Sequence, residues 1–120
     1  MMSTQQIAKR LVDLVGKGEF EAAQRELFAE DAVSIEPQAS EQFAKETRSL
    51  GAIIEKGHKW AAAIENVHSC SASAPLVAGN AIALTLSLDV TMKGKGRMQL
   101  AEICAYEVRN GKISSEQFFM

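Results

Sequence analysis

The chain has 120 residues, of which 47% are hydrophobic and 23% are charged, the balance of one globular domain, residues 1–120, with its own core. The formal net charge of −2 excludes a strongly basic surface, so we expect no nucleic-acid partner. No apolar run approaches the ~20 residues of a bilayer span, and the N-terminus lacks a signal-peptide pattern. We therefore expect a cytoplasmic protein without a membrane partner.

The first predicted helix follows a cap at Ser3 or Thr4. Apolar residues then recur at i, i+4, i+7 and i+8, which gives one apolar face. That face consists of Ile7, Leu11, Leu14 and Val15. Gly16 and Gly18 end this helix in a short break, so the next helix packs against it as a hairpin.

The second helix is predicted from about Glu19 until the acidic pair Glu30–Asp31, which ends it. Val33 and Ile35 then alternate with polar residues, which predicts a short strand. Pro37 stops that strand because proline has no backbone donor for a sheet.

A third helix is expected between about 38 and 57. It begins either near Ser40, a plausible cap, or near Gly51, in which case residues 38–49 form a looser flap. Its apolar face contains Phe43, Leu50, Ile53 and Ile54. The pattern leaves both starting points open.

The remainder of the chain is rich in predicted strands. The runs are 59–78, 81–92, 97–108 and 112–119, and Asn110-Gly111 is typical of a tight hairpin. The lysine- and glycine-rich segment 93–97 lies between two strands, which indicates a hairpin tip, because a phosphate loop would open a helix. Helices followed by an antiparallel meander predict an α+β fold.

Two segments make this arrangement specific, Leu27–Val33 and Glu102–Ile113. On them, and on the order of elements, the chain resembles the nuclear transport factor 2-like superfamily and in particular its SnoaL-like members. The resemblance implies a cone-shaped fold, with a curved antiparallel sheet and three N-terminal helices packed on its concave face. It also implies a small-molecule ligand in the hollow and a homodimer through the other sheet face. The strand 97–108 supports the dimer because both of its faces carry apolar residues.

Glu36 is the first candidate catalytic residue. The ketosteroid isomerases of this superfamily carry their proton-shuttling aspartate at the corresponding place, directly before a proline. The other isomerase positions, a tyrosine and a protonated acid, correspond to Leu11 and Cys104, which donate no strong hydrogen bond. Steroid isomerisation by that mechanism is therefore not expected, and a solvated glutamate at a strand end is the alternative.

Glu102 and Tyr106 are the next catalytic candidates because they share one strand face with Cys104. A carboxylate among apolar neighbours is costly unless it is paired, so Glu102 is either a functional acid or the partner of a nearby cation. Tyr106 can donate from its phenol or can be an aromatic strand residue. Which strand face lines the pocket is not determined by the sequence.

His68 is the last catalytic candidate, because imidazole shuttles protons near neutral pH. It would lie on the same strand parity as Trp60 and could meet Glu102 across the pocket; otherwise it is a rim histidine. Residues expected to line a ligand pocket are Trp60, Cys104, Glu116 and Phe118.

The cysteines, Cys70 and Cys104, lack the spacing of a metal site, and no other ligand spacing is diagnostic, so we expect neither a metal nor a cofactor. We expect a cofactor-free acid–base enzyme of the isomerase, dehydratase or cyclase type, acting on a small apolar molecule with a carbonyl group. The alternative is a non-catalytic ligand-binding or dimeric interaction module.

Overall fold

The computed structural model describes all residues, 1–120, as three helices and a seven-stranded sheet. The helices are α1 (Thr4–Val15), α2 (Phe20–Leu27) and α3 (Leu50–Ala63). The strands are β1 (Phe28–Ile35), β2 (Glu46–Arg48), β3 (Ile64–Ala72), β4 (Leu76–Ala78), β5 (Ala81–Met92), β6 (Gly96–Arg109) and β7 (Lys112–Phe119). The predicted α+β class is confirmed.

The sheet has the strand order β2-β1-β7-β6-β5-β3, with β4 paired to β5. Every pair is antiparallel except β1 with β7, which is parallel, so the sheet is mixed rather than wholly antiparallel. The chain reaches this arrangement because β7, its last strand, fits between β1 and β6. Residues from the first and last strands are thereby brought side by side.

The core lies between the helices and one face of the sheet. It includes the predicted face of α1 and the even-numbered residues of β5, which are all buried: Ile7, Leu11, Leu14, Val15, Ile82, Leu84, Leu86, Leu88, Val90 and Met92. Ser3 caps α1 in a capping box with Gln6, as the sequence predicts.

Two predicted boundaries are wrong. Helix α2 ends at Leu27, and Glu30 and Asp31 lie within β1, so the acidic pair does not end the helix. Helix α3 continues through Gly57 to Ala63, so Trp60 is helical and not part of a strand. A Cβ atom added at Gly57 would meet nothing within 4 Å, so this glycine marks no turn or close contact.

The start of the third helix is settled in favour of the later position. Ser49 caps α3, and its side chain accepts a hydrogen bond from the backbone of Ala52 at 3.2 Å. Residues 36–45 form a loop closed by the Glu36 N–H, which donates to the Lys45 carbonyl at 2.7 Å. None of the three helices combines the length and apolar character that crossing a bilayer requires. The expected cytoplasmic location stays a prediction.

Candidate functional site

A cavity of about 450 Å³ lies between the concave face of the sheet and the helices. Of its 28 lining residues 19 are hydrophobic, so the few polar groups in the lining are the candidates for specific contacts with a ligand. The predicted site residues among them are Glu36, Trp60, Glu102, Cys104, Tyr106, Glu116 and Phe118. The open question of strand parity is thereby answered, because the even-numbered side of β6 faces the cavity.

Glu116 is the most deeply buried acid of the cavity, with 5% of its surface exposed. It lies beside Ser34 across the parallel pair of β1 and β7, and the Ser34 hydroxyl donates to Glu116 Oε1 at 2.8 Å. The pKa of Glu116 is raised to about 7: burial is the largest cause, the Ser34 hydrogen bond and Lys56 oppose the rise, and the nearby Glu36 and Glu102 add to it. Near neutral pH this carboxyl can therefore hold or release a proton.

Glu102 is the second acid, and it lies on the floor of the cavity. Its one hydrogen-bond contact is with the Cys104 thiol, at 3.8 Å, and it takes part in no ion pair. Burial, followed by the charge of Glu36, raises the pKa of Glu102. Of the two alternatives left open for Glu102, the pairing with a nearby cation is not seen in this structure, and a functional role of this acid stays a prediction.

Glu36 follows directly after β1 at the edge of the cavity, and it is paired. Lys56 Nζ donates to Glu36 Oε2 at 2.9 Å and to Ser34 Oγ at 2.5 Å. The Lys56 and Glu36 side chains are only 15% and 26% exposed. The cavity lining therefore contains three carboxyl groups near one ammonium group, Glu36, Glu102, Glu116 and Lys56, and Ser34 links Lys56 to Glu116. A fourth acid of the lining, Glu21, is more exposed and pairs with His58.

The remaining polar and aromatic groups form the walls. Tyr106 is buried with its ring edge-to-face against Phe28, and burial raises the pKa of the phenol well above its ordinary value, so the phenol keeps its proton. Burial likewise raises the pKa of the Cys104 thiol, which stays neutral. Trp60 and Phe118 supply apolar walls, and Lys56 Nζ lies 5.6 Å from the centre of the Phe118 ring.

His68 lies outside the cavity, so the expected meeting with Glu102 is wrong. Its side chain is exposed on β3, and Nε2 lies 2.7 Å from Thr91 Oγ1. The prediction failed for two reasons. Trp60 belongs to α3 and so does not share a strand with His68. In addition, the pairing of β3 with β5 has two register shifts, one of them between Val67 and Ser69, and these interrupt the alternation of side chains along β3.

Ser34 and Lys56 are site residues that the sequence reading did not single out. One signal was available for Lys56: it is three residues after Ile53 and four before Trp60, so it lies on the apolar side of α3. No three His, Cys, Asp or Glu side chains are arranged to hold a metal ion.

The family model of the SnoaL-like domain matches residues 2–120. A protein from Mesorhizobium loti has the same fold, with a TM-score of 0.89 and 32% identity, over 99% of this chain and 100% of that one. Its name proposes a SnoaL-like polyketide cyclase and adds carbohydrate phosphatase in brackets. No match is found among curated proteins.

Two more distant structures agree on the fold alone. One is a protein of unknown function with a cystatin-like fold from Xanthomonas campestris, with a TM-score of 0.80 and 19% identity over 98% of this chain and 90% of that one. The other, from Catenulispora acidiphila, has a ketosteroid isomerase-like fold and was solved with trimethylamine; its TM-score is 0.73, with 18% identity over 98% and 87% of the two chains. The match over residues 2–120 and the identity with the Mesorhizobium loti protein establish that this chain belongs to the SnoaL-like domain family.

Proposed function

We propose that the protein binds a small, largely apolar molecule with a carbonyl group in this cavity and acts on it by cofactor-free acid–base chemistry. The observation that carries the proposal is the convergence of Glu102 and Glu116, two acids with raised pKa, on a largely apolar cavity. The reaction belongs to the isomerase, dehydratase or cyclase type, in which a proton leaves or reaches a carbon near the carbonyl.

The roles follow from the charge state of each group. Glu36, accompanied by the Lys56 ammonium, is the carboxylate that removes the proton. Glu116, in its protonated form, and the neutral Tyr106 phenol donate hydrogen bonds to the carbonyl oxygen as negative charge develops on it. Glu102 lies beside them with a raised pKa and donates in the same way when it is protonated. His68 has no part, because its side chain is exposed outside the cavity.

The first experiment is a panel of small cyclic ketones and enones in D₂O, followed by NMR. Binding is detected by chemical-shift changes of residues that line the cavity, such as Trp60, and chemistry by deuterium uptake at carbon atoms next to the carbonyl. We expect uptake that is faster than in buffer and that falls by about 10²-fold or more in Glu36→Gln. The matched control is Glu30→Gln, which changes an exposed acid of β1.

The outcomes separate the proposal from its rival. Binding without deuterium uptake favours a non-catalytic ligand-binding module with the same pocket. No binding by any member of the panel, together with no apolar molecule released from the purified protein on denaturation, contradicts a pocket function of either kind.

The proposal includes a homodimer through the outer face of the sheet. Ile103 and Phe119 are opposite each other on β6 and β7, and they are 50% and 47% exposed. Ala83, Ala101 and Ala105 lie near them on the same face of β5 and β6, and Thr85 is directly opposite Ile103, so these residues form an apolar patch with polar neighbours. An apolar sheet face of this kind is usually covered by a partner, and a second copy of the chain presents the same face.

A further inference from the structure

Lys56 is held in one place by two acceptors. Its ammonium donates to Ser34 Oγ at 2.5 Å and to Glu36 Oε2 at 2.9 Å. The first acceptor connects it with a third group, because the Ser34 hydroxyl also bonds Glu116 Oε1 at 2.8 Å. The four side chains come from α3, β1, the residue after β1, and β7, so this chain of hydrogen bonds joins three elements and one loop.

The direction of these hydrogen bonds is fixed by chemistry. A lysine ammonium has donors and no acceptor, so the Ser34 oxygen must accept from Lys56. The Ser34 hydroxyl is fully buried and has no other partner, so its hydrogen must go to Glu116. The reverse arrangement, in which Ser34 accepts from both neighbours, would leave a buried hydroxyl hydrogen without an acceptor, which is costly.

Glu116 Oε1 is therefore an acceptor in either protonation state, and a proton on this acid has to be on Oε2. Oε2 of Glu116 forms no hydrogen bond with a protein group. Every buried side-chain oxygen in the structure does have a hydrogen-bond partner, so Oε2 is not a buried atom. Oε2 consequently has accessible surface, which fits the place of Glu116 in the cavity lining.

We propose that Lys56 and Ser34 are positioning residues for Glu116: they place the proton of the buried acid on the oxygen that faces the cavity. Oriented in this way, the acid is ready to donate to a bound molecule, and this consequence rests on the proposed function. The placement of the proton is a property of the ligand-free protein. The titratable and charged groups that act on Glu116 are Lys56, Glu36, Glu102, Cys104 and Tyr106.

The experiment is infrared spectroscopy of the ligand-free protein at about pH 5, well below the pKa of about 7, where Glu116 is mostly protonated. Its carbonyl stretching band is assigned as the band that disappears in Glu116→Gln. Because Oε1 is the carbonyl oxygen and accepts from Ser34, we expect Ser34→Ala to move the band to higher frequency. An unchanged band in Ser34→Ala would place the proton on Oε1 and overturn the proposal.

Lys56 is tested in the same spectrum. The ammonium polarises the Ser34 hydroxyl and strengthens its hydrogen bond, so we expect Lys56→Met to move the band in the same direction by a smaller amount. NMR titration of the Glu116 carboxyl carbon is expected to show a pKa above about 7 in this variant, because a nearby cation is lost. Lys56→Arg, which keeps a donor-only cation, restores both values.

The matched control is Lys59→Met, which removes an exposed lysine from the same helix and leaves band and pKa unchanged. If Lys56→Met behaves like this control, Lys56 does not position Glu116 and the inference fails. No ligand is present in any of these measurements. A failure here is therefore distinct from a failure to find binding or turnover, and neither result decides the other.

Discussion

Ser34 and Glu116 stand side by side across the only parallel strand pair of the sheet, and their side chains are hydrogen-bonded at 2.8 Å. They are 82 residues apart in the sequence. Apart from the Tyr106 phenol and the Cys104 thiol, they are also the only buried polar or charged side chains. A fully buried hydroxyl beside a buried carboxyl is thus the central polar contact of the fold, and it borders the cavity.

Replacement of this carboxyl should change how stability depends on pH. The pKa of Glu116 is raised from 4.5 to about 7 in the folded protein, so its contribution to stability is fully present below about pH 4.5 and is lost as the pH rises through 7. Each pKa unit is worth about 1.4 kcal/mol, so the loss is about 3 kcal/mol. Glu116→Gln imitates the protonated acid and should be more stable than the wild type by that amount at about pH 8, but not at about pH 5.

Urea denaturation at the two pH values measures this difference. The comparison between wild type and variant cancels the contributions of other titrating groups. Glu30→Gln, an exposed acid on β1, serves as the control and should show no pH-dependent difference. A difference for Glu116→Gln that stays constant between the two pH values would mean that Glu116 titrates normally.

The local patterns were sufficient to predict much of the fold. The apolar face of α1, the alternation of β5 and the Asn110-Gly111 hairpin were correctly predicted because each is decided by neighbours in sequence. The end of α3 was predicted wrongly, because Gly57 is typical of a helix end. In the structure Ile53 and Ile54 are buried against the core, and this packing stabilises the helix on both sides of Gly57.

The site was harder to predict, and β1 shows why. Its apolar residues Val33 and Ile35 suggest the buried side of the strand, but Ser34 between them is fully buried and both neighbours are partly exposed. The buried polar side is stable because Glu116 and Lys56 satisfy the hydroxyl, and both partners are distant in sequence. Only the pairing of β1 with β7 brings these groups together, and no local pattern encodes it.

Glu102→Gln should leave the protein as stable as the wild type near neutral pH, or make it more stable. The carboxyl is largely buried, its pKa is raised by burial, and its one polar contact is a thiol at 3.8 Å, so the amide removes a poorly solvated acid without breaking an ion pair. Free energies of unfolding in urea at about pH 7 check this.

Glu107→Gln on the opposite face of β6 is the control for any general effect of removing an acid from this strand. A loss of about 3 kcal/mol or more in Glu102→Gln, the size found when a buried ion pair is broken, would instead identify a structural partner for Glu102.

The ion pair of Glu36 with Lys56 should be stronger than a surface pair. Both side chains are less than one-third exposed, so we expect a coupling free energy of about 1–2 kcal/mol in a double-mutant cycle of Glu36→Gln and Lys56→Met. The comparison is Arg10 with Glu26, whose side chains are 44% and 43% exposed. Added salt should lower the coupling free energy of the exposed Arg10–Glu26 pair more than that of the Glu36–Lys56 pair. If salt lowers both coupling free energies equally, Lys56 is solvated.

The outer face of the sheet should determine the oligomeric state. Ile103→Glu places a charge in the exposed apolar patch of this face, opposite Phe119, where a second copy would have to bury it without a partner. Light scattering during size-exclusion chromatography should show a dimer for the wild type and a monomer for the variant. Ala22→Glu adds the same charge to the exposed side of α2 and should remain dimeric. A wild type that is already monomeric at about 100 μM would argue against this face as an interface between copies, because obligate dimers are held together at lower concentrations.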